Sequence, residues 1–421
     1  MIVKLPYGNS YLNLDLRGMR VRPLTPTAPP GVGDLGGLVG AALDAPLAGP
    51  SLADLAGGFS TATVIVPDVT RKAGLPEVLP VVIERLRRGG IPEESITLLV
   101  ANGTHPAVGN EEIAKLVGPV SGQVRTIEHD GRAADHLATV GELRPGVPLR
   151  LNRKAVADGL LLTIATVRHH YFAGFGGGPK MVFPGVGGYE EIQANHSLVL
   201  RPCGAGFERH PRCEPGVLSG NPVAEEIVAA AEHCPPDFSV CLVDGRGDGP
   251  AWAGSGPWRI AFDAAVEKVR KWFSVAPGPP FDLMVACGGG APSDATLIQG
   301  HKSLDAACRF LKPGGEILHV ASLDGGLGSE DMAPFLDDPR PESIMERLAR
   351  GWVQYGHTTL RLVEKTSRHR VRLHSRLDPD LVRKLGFAVV SDPEAVIGEW
   401  RADHPGATVG VMAGTAVYPR P

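Results

Sequence analysis

Short apolar runs alternate with amphipathic stretches over most of the chain. TATVIVPD (61–68), SITLLVANGTH (95–105) and GLLLTIATV (159–167) are nearly unbroken apolar runs, the pattern of strands buried on both faces. Between the first two, DVTRKAGLPEVLPVVIERLRRGG places apolar residues at helical spacing and meets a glycine stop near Gly89. EEIAKLVG predicts a further short helix. Strand, helix, strand with continuous apolar strands implies parallel pairing and helices on both faces, an α/β fold. Ligands in such sheets bind at the carboxyl ends of the strands. Asp68, His105 and His170 each fall just past such an end, so the pattern predicts that they meet in one cleft.

A second α/β unit begins after SVAPGPP (274–280), which follows the helical stretch WRIAFDAAVEKVRKWF and precedes a fresh strand, FDLMVACGG (281–289). DATLIQGHKSLDAACRFLKPGG reads as its helix and EILHVAS as its next strand. The predicted organisation is an N-terminal domain over 1–273 and a C-terminal α/β domain over 281–402. A terminal strand, at about 406–421, is expected to return to the first domain. Residues 20–58, rich in Pro, Gly and Ala, read as an extended arm and loop, and no repeat at solenoid periods is present.

Composition narrows the function classes. A net charge of −4 over 421 residues gives no basic footprint for a nucleic-acid binder. No apolar run reaches the length of a membrane span, and MIVKLPYGNSYLNLDL lacks the form of a signal peptide. Cys203, Cys213, Cys234, Cys241, Cys287 and Cys308 form no CxxC, as expected of free thiols in a reducing cytoplasm. The spacing of Cys203, His210 and Cys213 fits no zinc pattern and reads as a structural loop.

Candidate chemistry concentrates in HHYFAGFGGGPKMVFPGVGGYEEIQANHS (169–197). Glycines allow close backbone approach and positive φ. Lys180 offers a point charge or, deprotonated, a nucleophile, and the histidines offer proton transfer or metal ligation. One loop holding all three suggests a site for a bulky anionic cofactor with chemistry beside it. It is not a P-loop, because Pro179 and Met181 stand where that motif needs Gly and Ser or Thr. The match of Gly31, Gly33 and Gly36 to GxGxxG follows TPTAPP rather than a strand, so a Rossmann reading fails in context. From the residues alone, His105, His170 and His196 also suggest metal-dependent hydrolysis. A hydrolytic site would normally add carboxylate ligands, however, and would leave the Gly-Lys loop without a task.

DVTR (68–71), ANGTH (101–105), HHYFAGFGGGPK (169–180), PGVGG (184–188), NHS (195–197) and the pair Gln299 and Lys302 together resemble the nickel-dependent lactate racemase family. The resemblance implies two α/β domains with parallel-type sheets flanked by helices and an active site in the cleft between them. It implies a nickel-pincer nucleotide, of the pyridinium-3,5-bisthiocarboxylic acid mononucleotide type, and partner proteins that assemble it. Lys180 matches the lysine that bonds covalently to one thiocarbonyl arm, and His196 matches the nickel ligand. His105 and His170 match the catalytic bases on the two faces of the substrate, with hydride passing to the cofactor and back. Arg71 matches a carboxylate-binding position, and Gln299 and Lys302 match positions that close over the substrate. Asp68 is expected to orient Arg71 or a histidine. Thr70, Gly176, Gly177 and Gly178 are candidates for the nucleotide phosphate.

The implied substrate is a small 2-hydroxy acid, racemised or epimerised at C2 in the cytoplasm. A homologue that binds the nucleotide without turnover is the remaining alternative. His169 reads as structural, His301 as a solvated neighbour of Lys302, His136 and His210 as surface residues, and His357 falls near the family's cofactor. Ile298 stands where lactate-specific members carry a tyrosine, which points to a longer 2-hydroxy acid than lactate.

Overall fold

The computed structural model describes every residue except 72, 248 and 421. The chain divides into two compact units. A middle unit holds Ala28–Val199 and His210–Lys271; a terminal unit, drawn from both chain ends, holds Met1–Thr27, Leu200–Arg209 and Trp272–Pro421. Each is a mixed α/β structure built on a six-stranded sheet.

In the middle unit the strand order is Pro250–Gly256, Phe238–Asp244, Leu160–Thr166, Ala62–Pro67, Ile96–Ala101, Arg125–Glu128. All neighbours run parallel except the edge strand Pro250–Gly256. The unbroken apolar runs become the central strands, because both faces are covered by helices and no polar face is needed. Helix Leu75–Arg88 buries Leu75, Val78, Leu79, Val82, Ile83 and Leu86, a stripe of 3.6-residue period, with its arginines in the last turn and Gly89 beyond. Ala62–Pro67 is followed outward by Ile96–Ala101 and Arg125–Glu128, whereas Leu160–Thr166 joins on the opposite side. The chain therefore reverses its winding at the boundary of Ala62–Pro67 and Leu160–Thr166. That boundary is a topological switch point, where the loops part and leave a crevice at the strand ends.

In the six-stranded sheet of the terminal unit every neighbour runs parallel, in the order Ala388–Val389, Arg370–His374, Leu311–Val320, Phe281–Cys287, Thr408–Met412, Arg20–Pro23. Met284 and Ala286 face one apolar cluster with Leu304 and Leu360, while Leu283 and Val285 face another with Leu5 and Trp400. Burial on both faces explains the continuous run FDLMVAC.

Two expectations are corrected. Thr408–Met412 pairs with Phe281–Cys287 in the second sheet instead of returning to the first. Residues 20–58 are not an arm: Arg20–Pro23 is the edge strand of that same sheet, and Leu35–Asp44 and Leu52–Ala56 are helices. Leu35, Val39 and Leu43 are buried four residues apart, and the Asp34 carboxylate caps the Gly37 N–H at 2.7 Å. Intervening glycines masked this amphipathic spacing in the sequence.

Candidate active site

The two loops at the switch point carry most of the expected residues. Asp68 follows strand Ala62–Pro67, His105 follows Ile96–Ala101, and His170 follows Leu160–Thr166. Asp68 is 5% exposed and uses both oxygens. Its Oδ1 accepts from the Thr70 hydroxyl at 2.7 Å, and its Oδ2 bonds His105 Nδ1 in a close contact. Burial alone would raise the Asp68 carboxyl, but the His105 bond, with the charge of Arg71 and the Thr70 hydroxyl, brings it below its usual value. An ionised Asp68 makes Nδ1 the protonated nitrogen of a neutral His105 and leaves the Nε2 lone pair as acceptor. Asp68 thus orients the histidine. Thr70, expected at a phosphate, here bonds Asp68.

His170 has the opposite arrangement. Its Nδ1 accepts from the Ala173 backbone N–H at 3.2 Å, so the neutral ring carries its hydrogen on Nε2. The ring stacks on Tyr171 at 5.1 Å and meets the edge of Phe172 at 4.7 Å. His169 lies on the other face of the Arg168–His170 strand, stacked on Phe175 at 5.1 Å.

Phe172 also joins the remaining pair. Its ring is T-shaped to His196 at 5.1 Å and lies 5.7 Å from Lys180 Nζ. Burial, with the charge of Arg71, pushes the Lys180 ammonium down to about 7. Burial, with the charge of Lys180, pushes His196 down to about 3, so its ring is neutral at physiological pH. His196 closes helix Tyr189–His196, and its Nδ1 lies 3.2 Å from Asn195 Oδ1. Arg71 is exposed, and its charge reaches Asp68 and Lys180.

The glycines divide. At Gly177 (φ 76°) a Cβ would strike the Thr166 carbonyl at 2.7 Å, and at Gly178 (φ 54°) it would enter the Phe262 ring. Both are therefore required by the tight turn and its own packing. Gly176 differs: its nearest neighbours are the Arg168 carbonyl at 3.9 Å and His170 Cδ2 at 4.0 Å, which leaves room on the His170 side.

Gln299 and Lys302 belong to the terminal unit, on helix Leu297–Cys308, where Lys302 Nζ donates to Gln299 Oε1 at 2.5 Å. His301 is corrected from solvated to buried, with Nδ1 at 2.8 Å from the Ile298 carbonyl. His357 is buried as well, its ring 5.5 Å from that of Trp352. Cys213 is buried, with its thiol 3.4 Å from Asn221 Oδ1. Sequence reasoning missed Phe172, Asn195, Glu226 and Arg144. Phe172 and Asn195 carried a signal, their places within HHYFAGFGGGPK and NHS.

Residues 7–206 match the lactate racemase N-terminal domain. The lactate racemase of Thermoanaerobacterium thermosaccharolyticum is 27% identical over 356 residues, covering 83% of this chain and 81% of that one. The lactate racemase of Lactiplantibacillus plantarum is 29% identical over 302 residues, covering 71% and 69%. The chain is similar to the lactate racemases over most of its length. Its fold matches the lactate racemase apoprotein of Thermoanaerobacterium thermosaccharolyticum with a TM-score of 0.87, at 24% identity over 99% of both chains. A Thermotoga maritima protein shares the fold at a TM-score of 0.62 and 16% identity. The lactate racemase domain match spans Asp68, Thr70, Arg71, His105, His170, Lys180 and His196, while Gln299 and Lys302 lie beyond it.

Proposed function

We propose that this chain is a racemase or epimerase that inverts the hydroxyl-bearing C2 of a 2-hydroxy acid with a nickel-pincer nucleotide held by Lys180 and His196. One observation carries the reading. A lysine amine brought down to about 7 and an imidazole brought down to about 3 flank one aromatic ring. The first is a nucleophile near neutral pH, as covalent attachment to a thiocarbonyl arm requires. The second offers an unprotonated nitrogen, which suits nickel alongside soft sulfur donors. The residues present therefore fit the group. Bound there, it supplies a reversible hydride acceptor.

The remaining chemistry belongs to the chain. His105, oriented by Asp68, takes the substrate hydroxyl proton through Nε2. His170 presents its hydrogen on Nε2 and acts on the opposite face. Inversion needs an acceptor and a donor in each turnover, and the two exchange roles with the enantiomer. Arg71 offers a planar fork for the substrate carboxylate. Gln299 and Lys302 are assigned to substrate binding. Gly176, with open space beside it, is the glycine assigned to the nucleotide, and Gly177 and Gly178 support the turn. The required partners are the proteins that assemble the cofactor.

A histidine-based hydrolase needs several protein ligands to converge. Among the described residues no group of three His, Cys, Asp or Glu does so. Among the same residues no helix is long and apolar enough to cross a membrane.

The test is co-expression with cofactor-assembly proteins, followed by intact and peptide mass analysis. The expected result is a mass increase on Lys180 with nickel near one per chain, both lost in Lys180→Ala. Turnover with an unmodified Lys180 would contradict the covalent assignment.

A further inference from the structure

We infer that Asn195 is a positioning residue that fixes which nitrogen of His196 carries hydrogen, and that Glu226 and Arg144 hold Asn195 in place. The inference rests on the reading that His196 ligates nickel.

Asn195 is fully buried, so each polar atom of its amide has to find a partner within the protein. The Nδ2 group donates to the Val223 carbonyl at 3.2 Å and to Glu226 Oε2 at 2.9 Å. Both partners are acceptors, so the amide has one orientation: turned over, Oδ1 would face a carbonyl and a carboxylate. Oδ1 therefore points to His196 Nδ1, 3.2 Å away. An oxygen that only accepts requires a nitrogen that donates. The hydrogen accordingly sits on Nδ1, and the Nε2 lone pair is left for a metal. Metal-ligating histidines are commonly fixed in this way by an acceptor on the far nitrogen.

The chain continues outward. Glu226, on helix Pro222–His233, receives Arg144 Nη1 on Oε1 at 2.6 Å. The same guanidinium donates through Nη2 to the Ala194 carbonyl at 3.1 Å. Arg144 thus ties the carboxylate that orients Asn195 to the helix that carries Asn195 and His196. That helix has only eight residues, and a second ion pair, Arg150 with buried Glu191, anchors it on the neighbouring strand Val147–Asn152. A neutral amide beside His196 sets the tautomer without placing a negative charge next to the ring.

The test has two readouts. The first is long-range ¹H–¹⁵N correlation on ¹⁵N-histidine-labelled apoprotein, with His196 assigned by its absence in His196→Gln. Wild type should show Nδ1–H with an unprotonated Nε2. The Nε2–H tautomer would overturn the inference, and the tautomer itself is read on the wild-type protein. The second is the rate of nickel loss to a chelator from cofactor-loaded protein. Asn195→Leu should lose nickel about 10–100-fold faster. Asn195→Asp keeps an acceptor on Nδ1 but sets its other oxygen against Glu226 and Val223, so it should melt lower yet retain nickel near the wild-type rate. Nickel loss in proportion to lowered melting temperature in both variants would reduce Asn195 to a structural role and overturn the inference. A wild-type chain that takes up no nickel defeats the proposed function, while the tautomer measurement still decides the positioning claim.

Discussion

His105 and His196 sit in the same unit, and each is oriented through Nδ1, but by partners of different charge. His105 is held by the buried carboxylate of Asp68 and is itself partly exposed. His196 is held by the buried amide of Asn195 and is nearly sealed from solvent. A carboxylate orients an imidazole and also stabilises the imidazolium that forms when it accepts a proton. An amide orients it and leaves the charged form costly. One fold therefore gives one histidine a charged partner and keeps the other ring neutral. On the proposed reading, that difference divides catalysis from cofactor holding.

The largest expected effect comes from removing the proton-exchanging side. His105→Ala and His170→Ala should each lower racemisation by roughly 10²–10⁴-fold with cofactor still bound. Near-normal turnover in either would break the comparison, since that ring would then be structural. Asp68→Asn sharpens it further. The ring stays in place but loses its charged partner, so kcat should fall by about 10²-fold, the lower end of the same range, while nickel content is unchanged. Loss of nickel in that variant would show that the two histidines are not separable.

Arg71→Lys is expected to be milder. A point charge cannot reproduce the planar fork, and losing one charge-assisted hydrogen bond, about 1.5–3 kcal/mol, predicts a 10–100-fold loss in kcat/KM. An unchanged kcat/KM would remove Arg71 from the substrate. Substrate choice is a smaller contrast. Ile298 provides an apolar side chain beside Gln299, and each extra methylene that it accommodates is worth about tenfold or more. A longer 2-hydroxy acid should therefore exceed lactate in kcat/KM; lactate winning would sink the specificity argument and leave the mechanism standing.

The smallest effect is a displaced pH profile. The folded state lowers Lys180 from 10.5 to about 7, so its neutral, reactive form predominates above pH 7. Acylation of Lys180 in apoprotein should rise through about pH 7 and level off by about pH 8, where ordinary lysines are still climbing toward their pKa of about 10.4. A profile that climbs to pH 10 would contradict the burial that sets Lys180 apart.

The strands of both sheets were legible because burial on both faces leaves unbroken apolar runs, as in LLLTIAT and FDLMVAC. The carboxyl ends of Ala62–Pro67 and Ile96–Ala101 bring Asp68 against His105, as the apolar pattern predicts. Helix Leu35–Asp44 was hidden because its stripe is only Leu35, Val39 and Leu43 among glycines and alanines. The terminal strand was misplaced because sequence order does not reveal which side of Phe281–Cys287 a parallel strand joins. Glu226 and Arg144 had no local signal, since they reach Asn195 only through the tertiary packing of helix Pro222–His233 and strand Leu137–Arg144. The separate duties of the glycines were equally hidden, because Thr166 and Phe262 impose them from other elements.

The central claim is that this chain, loaded on Lys180 and His196, inverts C2 of a 2-hydroxy acid. It is tested most directly by incubating cofactor-loaded protein with single enantiomers of a series of 2-hydroxy acids and following them by chiral chromatography. At least one should approach a racemic or epimeric equilibrium from either enantiomer, with His105→Ala inactive under the same loading. Protein that carries nickel and the Lys180 adduct, yet leaves every enantiomer unchanged, would contradict the account.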